Sequence, residues 1–399
     1  MGFAEFVVVI AAIQALNPLA MDMMLPALPD IGAAFNIANA NYLQTVLSAF
    51  LIGFGVGQFA IGPLSDHYGR RRVVLTGMVV YCAASLIAVT SQSFEMLLLA
   101  RVLQGLGTSA TRLIAPLIVR VLRSSRLMAS LISLAKRVFI LLPVLAPSIG
   151  QAVLMITHWR GIFISLMIYG VIALAWISLR LPETLPPANR RPISVAEIFS
   201  SYRQTLTNRQ TFGYALAAGG IQAVMFAYIF SAQQIFTGIY GLGSYFPLAF
   251  AAIASGVAIA GFLNSRFVGR LGMRVISHGA LIGFVLVSLT MLVTAKLDML
   301  PLPLFMLLSA LSLFSFGLIF ANFTAIAMQP HGHIAGTASS LFGSITTLIG
   351  IAIGTPIGQH FDGTLTPLAA GFFLSTLGVL VVVLIVERGR LFRQVSRPV

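Results

Sequence analysis

The stretch Gly62-Pro63-Leu64-Ser65-Asp66-His67-Tyr68-Gly69-Arg70-Arg71-Arg72 joins two long apolar segments of the chain. Gly62 and Pro63 predict the end of a helix, because proline interrupts helical hydrogen bonding, and Gly69 permits a tight turn. Asp66 can accept hydrogen bonds from the N-terminus of a neighbouring helix, and the three arginines can pair with acids. The stretch therefore predicts either a charged clasp that holds two helix bundles in one state or a basic turn at a membrane surface.

The composition of the whole chain places such a turn in a membrane protein. Of the 399 residues, 58% are hydrophobic and only 9% are charged, and the mean hydropathy is +0.97. An ordinary soluble protein is about 45–50% apolar and about 25% charged. So few charges cannot cover the surface of a 42.6 kDa globule in water. The composition therefore excludes a cytosolic enzyme, a nucleic-acid-binding protein and a disordered scaffold.

Twelve apolar segments are long enough to cross a bilayer, which takes about 20 residues. The predicted spans are 4–28, 43–63, 73–92, 95–120, 131–155 and 161–181 in the first half, and 210–236, 245–265, 274–295, 301–327, 335–358 and 366–387 in the second. The polar connection 182–209 separates the halves and predicts a cytoplasmic linker with a short surface helix around Val195–Leu206. We therefore expect a bundle of six helices at 1–181, a second at 210–388, and a cytoplasmic tail at 389–399.

The two halves repeat short motifs at a constant spacing. Phe59, Gly69 and Arg71 recur as Phe262, Gly272 and Arg274, each 203 positions later. Such a spacing, close to half of the chain, indicates an internal repeat.

The charge distribution predicts the orientation in the membrane. The net charge is +14, and arginines concentrate in alternate connections, among them 70–72, 180–209, 266–274 and the tail. Cytoplasmic loops of membrane proteins carry an excess of Lys and Arg. Both termini are therefore predicted to be cytoplasmic.

Several motifs together resemble one known family. They are the stretch 62–72, Met21-Asp22-Met23-Met24-Leu25-Pro26-Ala27-Leu28-Pro29, Arg101-Val102-Leu103-Gln104-Gly105, Pro143-Val144-Leu145-Ala146-Pro147-Ser148-Ile149-Gly150, Asn264-Ser265-Arg266-Phe267-Val268 and Ala335-Gly336-Thr337-Ala338-Ser339-Ser340-Leu341. The set resembles the major facilitator superfamily, and within it the Bcr/CflA branch of drug:proton antiporters.

The resemblance implies an all-α fold of twelve transmembrane helices in two pseudo-symmetric six-helix bundles. It implies proton-coupled export of drug-like small molecules from a bacterial cytoplasm across the inner membrane, by alternating access around a site between the bundles. The proton gradient is then the energy source, the protein is a monomer, and no bound cofactor is expected. Two alternatives remain open: a proton-coupled importer or metabolite exporter of the same fold, and a transport-inactive membrane sensor or scaffold.

Other chemistries find little support in the sequence. The chain has no Gly-rich phosphate-binding loop ending in Lys-Ser/Thr, which argues against energy from ATP, and no recognisable catalytic set, so we do not expect an enzyme. The pair His331 and His333 has no third histidine or cysteine nearby. It predicts a solvated loop rather than a metal site.

Two ionisable residues inside predicted spans need a reason, since a charge at the bilayer centre costs about 2.5–3.5 kcal/mol on insertion scales. Asp22 and Arg101 each lie about six residues inside the outer end of their spans, so they share a depth and can pair. Burial and a nearby arginine act in opposite directions on a carboxyl group's proton affinity. The resemblance implies that Asp22 carries the proton and that Arg101 modulates it. Alternatively, Asp22 caps span one in the headgroup region.

Arg112 lies eleven residues after Arg101, which is three helical turns plus about 20°. Both arginines are therefore predicted on one face of span four. There Arg112 can bind an anionic substrate or a carboxylate, unless its side chain extends to the cytoplasmic surface.

Polar and aromatic side chains within apolar spans predict a cavity of modest polarity. Mostly apolar pockets with a few polar groups suit amphiphilic, drug-like molecules, although hydrogen bonding between helices is an alternative role. The predicted cavity residues are Gln14, Asn17, Gln44, Gln104, Arg112, Gln222, Phe226 and Asn322.

Span five contains Pro143, Pro147 and Gly150. These residues bring its backbone close to a neighbouring helix and allow bending. Antiporters of the superfamily carry a Gly/Pro motif at this place, and only Gln151 departs from it.

The end of span four departs further from the family pattern. Val121 stands where the family usually has an aspartate, so the inner clasp has one carboxylate fewer. This predicts a weaker lock, or contact of the basic inner loops with anionic lipid. The same departures give weight to the transport-inactive alternative.

Overall fold

The computed structural model describes residues 3–113, 145–186, 188, 190 and 194–393. Every regular element in these residues is helical. Nine of the described helical segments are long and apolar enough to cross a membrane, and they coincide with predicted spans two, three, six and seven to twelve. The first, fourth and fifth spans are represented by shorter or partly described helices.

The chain forms two compact units, Met1–Ser200 and Ser201–Val399. The helices of the first unit are α1 (Phe3–Asp22), α2 (Leu28–Ala34), α3 (Thr45–Tyr68), α4 (Arg70–Val89), α5 (Phe94–Ser109), α6 (Leu145–Leu154) and α7 (Trp159–Arg180). Helix α8 (Val195–Thr207) crosses the boundary and confirms the short helix predicted in the linker.

The second unit contains six long helices. They are α9 (Arg209–Gln233), α10 (Phe246–Leu271), α11 (Met273–Lys296), α12 (Leu302–Met328), α13 (Ala335–Gln359) and α14 (Thr366–Val386). Five of them begin and end within three residues of a predicted span, and α10 ends six residues after its predicted end at 265. The apolar length that a bilayer demands was therefore a sufficient guide here.

The two units pack their helices in the same order. In the first unit α5 packs on α3 and α4, and α4 packs on α7. In the second unit α12 packs on α10 and α11, and α11 packs on α14. These pairs join the second, third, fourth and sixth spans of each half, so the motif repeat is also a repeat of packing.

The helix before the basic turn is longer than the sequence predicted. The predicted end at Gly62 and Pro63 is wrong, because α3 continues through both residues to Tyr68. Proline inside a membrane helix removes a single hydrogen bond, which neighbouring groups can compensate. The helix ends at Gly69, which has φ 93° and donates its N–H to the Ser65 carbonyl at 3.1 Å.

The first span is shorter than predicted. Regular helix ends at Asp22, and a turn leads into a 3₁₀ segment at Leu25–Ala27 and then into α2. Pro26 and Pro29 account for the break, because each lacks the N–H that a continuing helix needs. Asp22 therefore lies at the end of α1, not six residues inside a continuous helix.

The fourth span changes its geometry before it leaves the described residues. Helix α5 ends at Ser109 and continues as 3₁₀ helix at Ala110–Leu113. The predicted shared face of Arg101 and Arg112 assumed uninterrupted α-helix, and the 3₁₀ segment removes that premise. Val121 and Pro143 lie outside the described residues.

Helices α3 and α5 approach until their backbones touch. A Cβ atom on Gly53 would overlap the carbonyl oxygen of Val102, and one on Gly105 would overlap that of Phe50. In the second unit Gly256, 203 positions after Gly53, meets the backbone oxygen of Ala310 in the same way. Glycine is required at such positions because any side chain forces the helices apart.

We expect Gly105→Ala to destabilise the protein by about 1–3 kcal/mol, the usual range for overpacking. The matched control is Gly378→Ala in α14, since a Cβ atom there meets nothing within 4 Å. That change should be neutral or slightly stabilising, because alanine favours helix. The single cysteine, Cys82, is half-buried in α4, so its labelling by a thiol dye on heating reports unfolding. Equal unfolding midpoints for the two variants would contradict the close approach.

Candidate functional site

Arg101 is the most deeply buried charged residue described in the first unit, with no exposed surface. Its position on α5, four residues before Gly105, turns it towards α3. The guanidinium Nε donates to the Val46 carbonyl at 3.0 Å, and Cζ lies 4.6 Å from the centroid of the Phe50 ring. The positive charge therefore rests on one face of α3, against a carbonyl dipole and an aromatic ring.

A chain of hydrogen bonds fixes the other side of the guanidinium. Arg101 Nη1 donates to Gln104 Oε1 at 2.9 Å, and Gln104 Nε2 donates to Ser85 Oγ at 2.8 Å. Ser85 Oγ donates in turn to the Tyr81 carbonyl of α4. Gln104, predicted as a cavity residue, is buried and serves to orient Arg101. Nη2 of Arg101 has no hydrogen-bond partner among the described residues.

Asp22 is buried at the end of α1, with 4% of its surface exposed. Its Oδ1 atom has no hydrogen-bond partner in the part of the chain that the structure describes. The pairing with Arg101 that similar depth allowed is not formed between these two described residues, whereas Arg180 does pair with Glu5 and Arg274 with Glu387. Each member of the predicted proton-coupling pair thus keeps one unused polar atom.

The Gly/Pro motif of span five lies next to Asp22. A Cβ atom on Gly150 of α6 would overlap the backbone carbonyl of Met23, the residue after Asp22. Pro147 is buried on the same helix. Gly150 therefore brings its backbone close to its neighbour, as the motif predicted, and the neighbour is the turn that carries the buried carboxyl group.

The other predicted cavity residues of the first unit lie on three elements. Gln14 and Asn17 are half-buried on α1, and Gln44 is buried in the 3₁₀ segment before α3. Arg112 is in the 3₁₀ segment after α5, and its side chain is not described.

In the second unit, Gln222 and Phe226 lie one turn apart on α9. Both side chains pack against Gly350 of α13. The Phe226 ring stacks on Phe230 with centroids 6.0 Å apart. The third cavity residue predicted in this unit, Asn322 of α12, is not part of this cluster.

Asn322 forms a contact between helices instead. Its Nδ2 donates to Asn264 Oδ1 of α10 at 2.7 Å and to its own helix at Leu318. Asn264 belongs to a motif that the sequence singled out without giving it a role. The amide pair bridges α10 and α12 inside apolar surroundings, where a hydrogen bond between helices stabilises their packing.

The basic turn contains a contact that the sequence reasoning missed. Glu183, which follows α7, accepts hydrogen bonds through Oε1 from the backbone N–H groups of Arg70, Thr184 and Leu185, at 3.1, 2.9 and 3.0 Å. Its other oxygen lies where a Cβ atom of residue 69 would stand. Glycine at 69 thus serves both a left-handed turn and access of the carboxylate to the N-terminus of α4, where negative charge is favourable.

The remaining residues of the turn surround this contact. Gly62 is buried within α3, and Asp66 is half-buried in its last turn. Arg71 Nη2 donates to the Ser178 carbonyl of α7 at 2.6 Å, while Arg70 is buried. The turn therefore fastens α4 to the end of α7 within the first unit.

The second unit repeats the turn with a different partner. Gly272 has φ 85° and ψ 153°, against 93° and 151° for Gly69. Glu387, which follows α14, pairs with the Arg274 side chain at 2.8 Å, and both side chains are about nine-tenths buried. Burial alone would raise the pKa of Glu387, but the hydrogen bonds from Tyr214 and Arg274 and the Arg274 charge outweigh it and hold the pKa below its ordinary value.

The signal for both glutamates was present in the sequence. Glu183 and Glu387 each follow the last helix of their unit, and they are 204 positions apart, close to the spacing of the repeated glycines.

Comparison with known proteins places this geometry in context. Residues 10–355 match the sequence profile of the Major Facilitator Superfamily. The chain is 28% identical to the "Bicyclomycin resistance protein homolog" of Haemophilus influenzae, over 95% of this chain and 94% of that protein. It is 26% identical to "Multidrug resistance protein D" of Escherichia coli, over 95% and 94% of the two chains. The crystal structure of the human organic anion transporter MFSD10 (TETRAN) superposes with a TM-score of 0.72 at 18% identity, over 96% of this chain and 99% of that one.

We expect Glu183→Ala to lower the stability of the protein by about 1–3 kcal/mol, because three backbone N–H groups lose a charged acceptor. Glu183→Gln should lose less, since its amide oxygen still accepts. Thermal unfolding followed through Cys82 measures the effect. The control is Glu95→Ala, an exposed acid in the first turn of α5. An equal effect at both positions would show that Glu183 contributes no more than a general helix-terminal charge.

Proposed function

We infer, because the chain belongs to the Major Facilitator Superfamily, that this multi-pass membrane protein exports drug-like small molecules in exchange for protons. Support for a drug as the exported molecule comes from two relatives matched over nearly their whole length, one named for bicyclomycin resistance and one for multidrug resistance. The exchange uses the proton gradient of a bacterial inner membrane, with no bound cofactor. Access to the substrate alternates between the two sides.

The observation that carries the proton-coupling proposal is the buried carboxyl group of Asp22. An ionisable group inside an apolar unit is costly and is by default functional. Nothing among the described residues occupies its Oδ1 atom. A group with a free oxygen and no fixed counter-ion can bind a proton in one state and release it in another.

Arg101 supplies the second part of the mechanism. Its guanidinium is held on α3 and by Gln104 but retains one unused N–H group, Nη2. A charge with spare donors can exchange partners when a neighbouring helix moves. We propose that Arg101 stabilises the ionised form of Asp22 in the state that has released its proton.

The chemistry of the second unit supports an amphiphilic substrate. Gln222 and Phe226 place an amide beside a stacked aromatic pair. Apolar walls with a few hydrogen-bonding groups accept molecules of varied shape. We propose that Gln14, Asn17 and Gln222 offer amides to the substrate, while Gln104 and Asn322 serve the protein's own contacts.

Orientation and surroundings follow from charge. The basic residues at the α3–α4 and α10–α11 turns and after α14 support a cytoplasmic position for both termini. These arginines can also bind anionic lipid headgroups. We propose that the transporter acts as a monomer, since both predicted coupling residues lie in one unit of one chain.

Proton coupling is tested with purified protein in liposomes that contain a pH-sensitive dye. After a proton gradient is imposed, cationic, neutral and anionic drugs are added in turn. We expect at least one drug to trigger proton flux, and Asp22→Asn to reduce that flux at least tenfold while drug binding persists. The matched control is Asp30→Asn, an exposed aspartate on α2, which should keep the wild-type flux.

The outcomes separate the alternatives. Full coupled flux in Asp22→Asn would remove Asp22 from the mechanism. Drug binding without flux in the wild-type protein would favour the sensor reading. Accumulation of the drug on the side of the membrane that corresponds to the cytoplasm would identify an importer.

A further inference from the structure

The C-terminal segment folds back onto the end of the second unit. After α14, Arg388 and Phe392 adopt left-handed backbone conformations, with φ 55° and 64°. Residues other than glycine adopt this region at a cost, so favourable contacts must hold the segment in place. The backbone N–H of Phe392 donates a hydrogen bond to His278 Nδ1 of α11 at 3.1 Å. The Phe392 ring lies edge-on to the imidazole, with centroids 5.9 Å apart.

His278 belongs to a closed hydrogen-bonding cluster of five residues. The Glu387 carboxylate accepts from Arg274 Nε at 2.8 Å and from the Tyr214 hydroxyl at 2.7 Å. The Tyr214 oxygen lies 3.0 Å from His278 Nε2. The cluster thus joins α9, α11, the end of α14 and the tail, and His278 itself is buried.

The directions of these bonds determine the protonation of the histidine. Glu387 is paired with Arg274 and acts only as an acceptor, so the single hydroxyl proton of Tyr214 points at Glu387. The Tyr214 oxygen must then accept from His278 Nε2–H. Because Nδ1 accepts from the Phe392 N–H, it carries no proton. Every bond is satisfied only by the neutral imidazole with its proton on Nε2.

We propose that His278 is a proton-binding site that controls the docking of the C-terminal segment 388–393. A proton added to Nδ1 turns the acceptor of the Phe392 N–H into a donor, and two N–H groups then face each other. The Tyr214 bond survives, because Nε2 keeps its proton. Protonation therefore detaches the tail at Phe392 but leaves the bonds among Arg274, Glu387, Tyr214 and His278 in place. The inference does not depend on the proposed substrate or on Asp22.

The charged groups around His278 lie on α11, after α14 and on the docked segment itself, which carries Arg388, Arg390 and Arg393. Arg274 lies one turn earlier on α11, and Glu387 lies across the cluster. Arg266 and Arg270 of α10 are exposed. Helices α12 and α14 also pack on α11, and neither contains a titratable residue. A protonated His278 would be a second positive charge beside Arg274, which further opposes docking of the tail. The tail and the proton therefore compete for one nitrogen, His278 Nδ1.

The test follows the mobility of a spin label on the tail. In a Cys82→Ser background, Arg390→Cys is labelled, because Arg390 is exposed and, among the described residues, its bond is a backbone one to Glu387. Lowering the pH from 8 to 4 should convert an immobilised spectrum to a mobile one. A label at Lys296→Cys, on the opposite end of α11, should not respond.

Two further variants separate the histidine from the adjacent acid. His278→Gln keeps an acceptor for Phe392 and a donor for Tyr214 but does not titrate, so the label should stay immobilised at every pH. His278→Leu removes both bonds and should give the mobile spectrum even at pH 8. A pH response that persists in His278→Gln, or its absence from the parent protein, would overturn the proposal.

Discussion

Contact between the backbones of α3 and α5 is the constraint on which the first unit depends. Gly53 and Gly105 let the helices meet without intervening side chains. Arg101 lies one turn from Gly105 and is consequently pressed against α3, where the Val46 carbonyl and the Phe50 ring receive it. A wider separation would leave the guanidinium buried with no partner on that side, which is far costlier than the paired arrangement. In this unit the close packing of α3 and α5 therefore also provides the partners that stabilise the buried charge.

The glycine turns extend the same logic to the ends of the helices. Gly69 and Gly272 share their backbone conformation, and each has a glutamate from the last helix of its unit nearby. The two units nevertheless use that glutamate differently. In the first it binds main-chain N–H groups, and in the second it binds an arginine side chain and a tyrosine hydroxyl. The repeat conserves the position of a carboxylate while its partners have diverged.

The sequence predicted the helices well and the contacts poorly, for a physical reason. A bilayer requires long apolar segments, and this requirement is local, so α9 and α14 begin and end close to their predicted bounds. Asp22 and Arg101 were recognisable because charge is rare in such segments. The sequence could not show that the two residues do not pair in this structure, since Arg101 is held by a backbone carbonyl that no sequence pattern marks.

Three predictions show where local rules mislead. Pro63 predicted a helix end in α3, but a single missing N–H is tolerated within a membrane helix. The opposite error occurred at Asp22, where Pro26 and Pro29 do end α1. The predicted shared face of Arg112 and Arg101 required regular α-helix, but the structure has 3₁₀ helix at Arg112.

The carboxylate of Glu183 has a consequence for how this protein can change over time. It binds the peptide group of residue 70 and not the arginine side chain. Substitution at 70 by any residue other than proline would therefore leave this bond intact, whereas any side chain at 69 would collide with the acid. As far as this contact is concerned, position 70 can therefore change during evolution, whereas the neighbouring position 69 must remain glycine. In this charged stretch, the contact with Glu183 thus depends on the glycine, the residue without a side chain, and not on the arginine side chains.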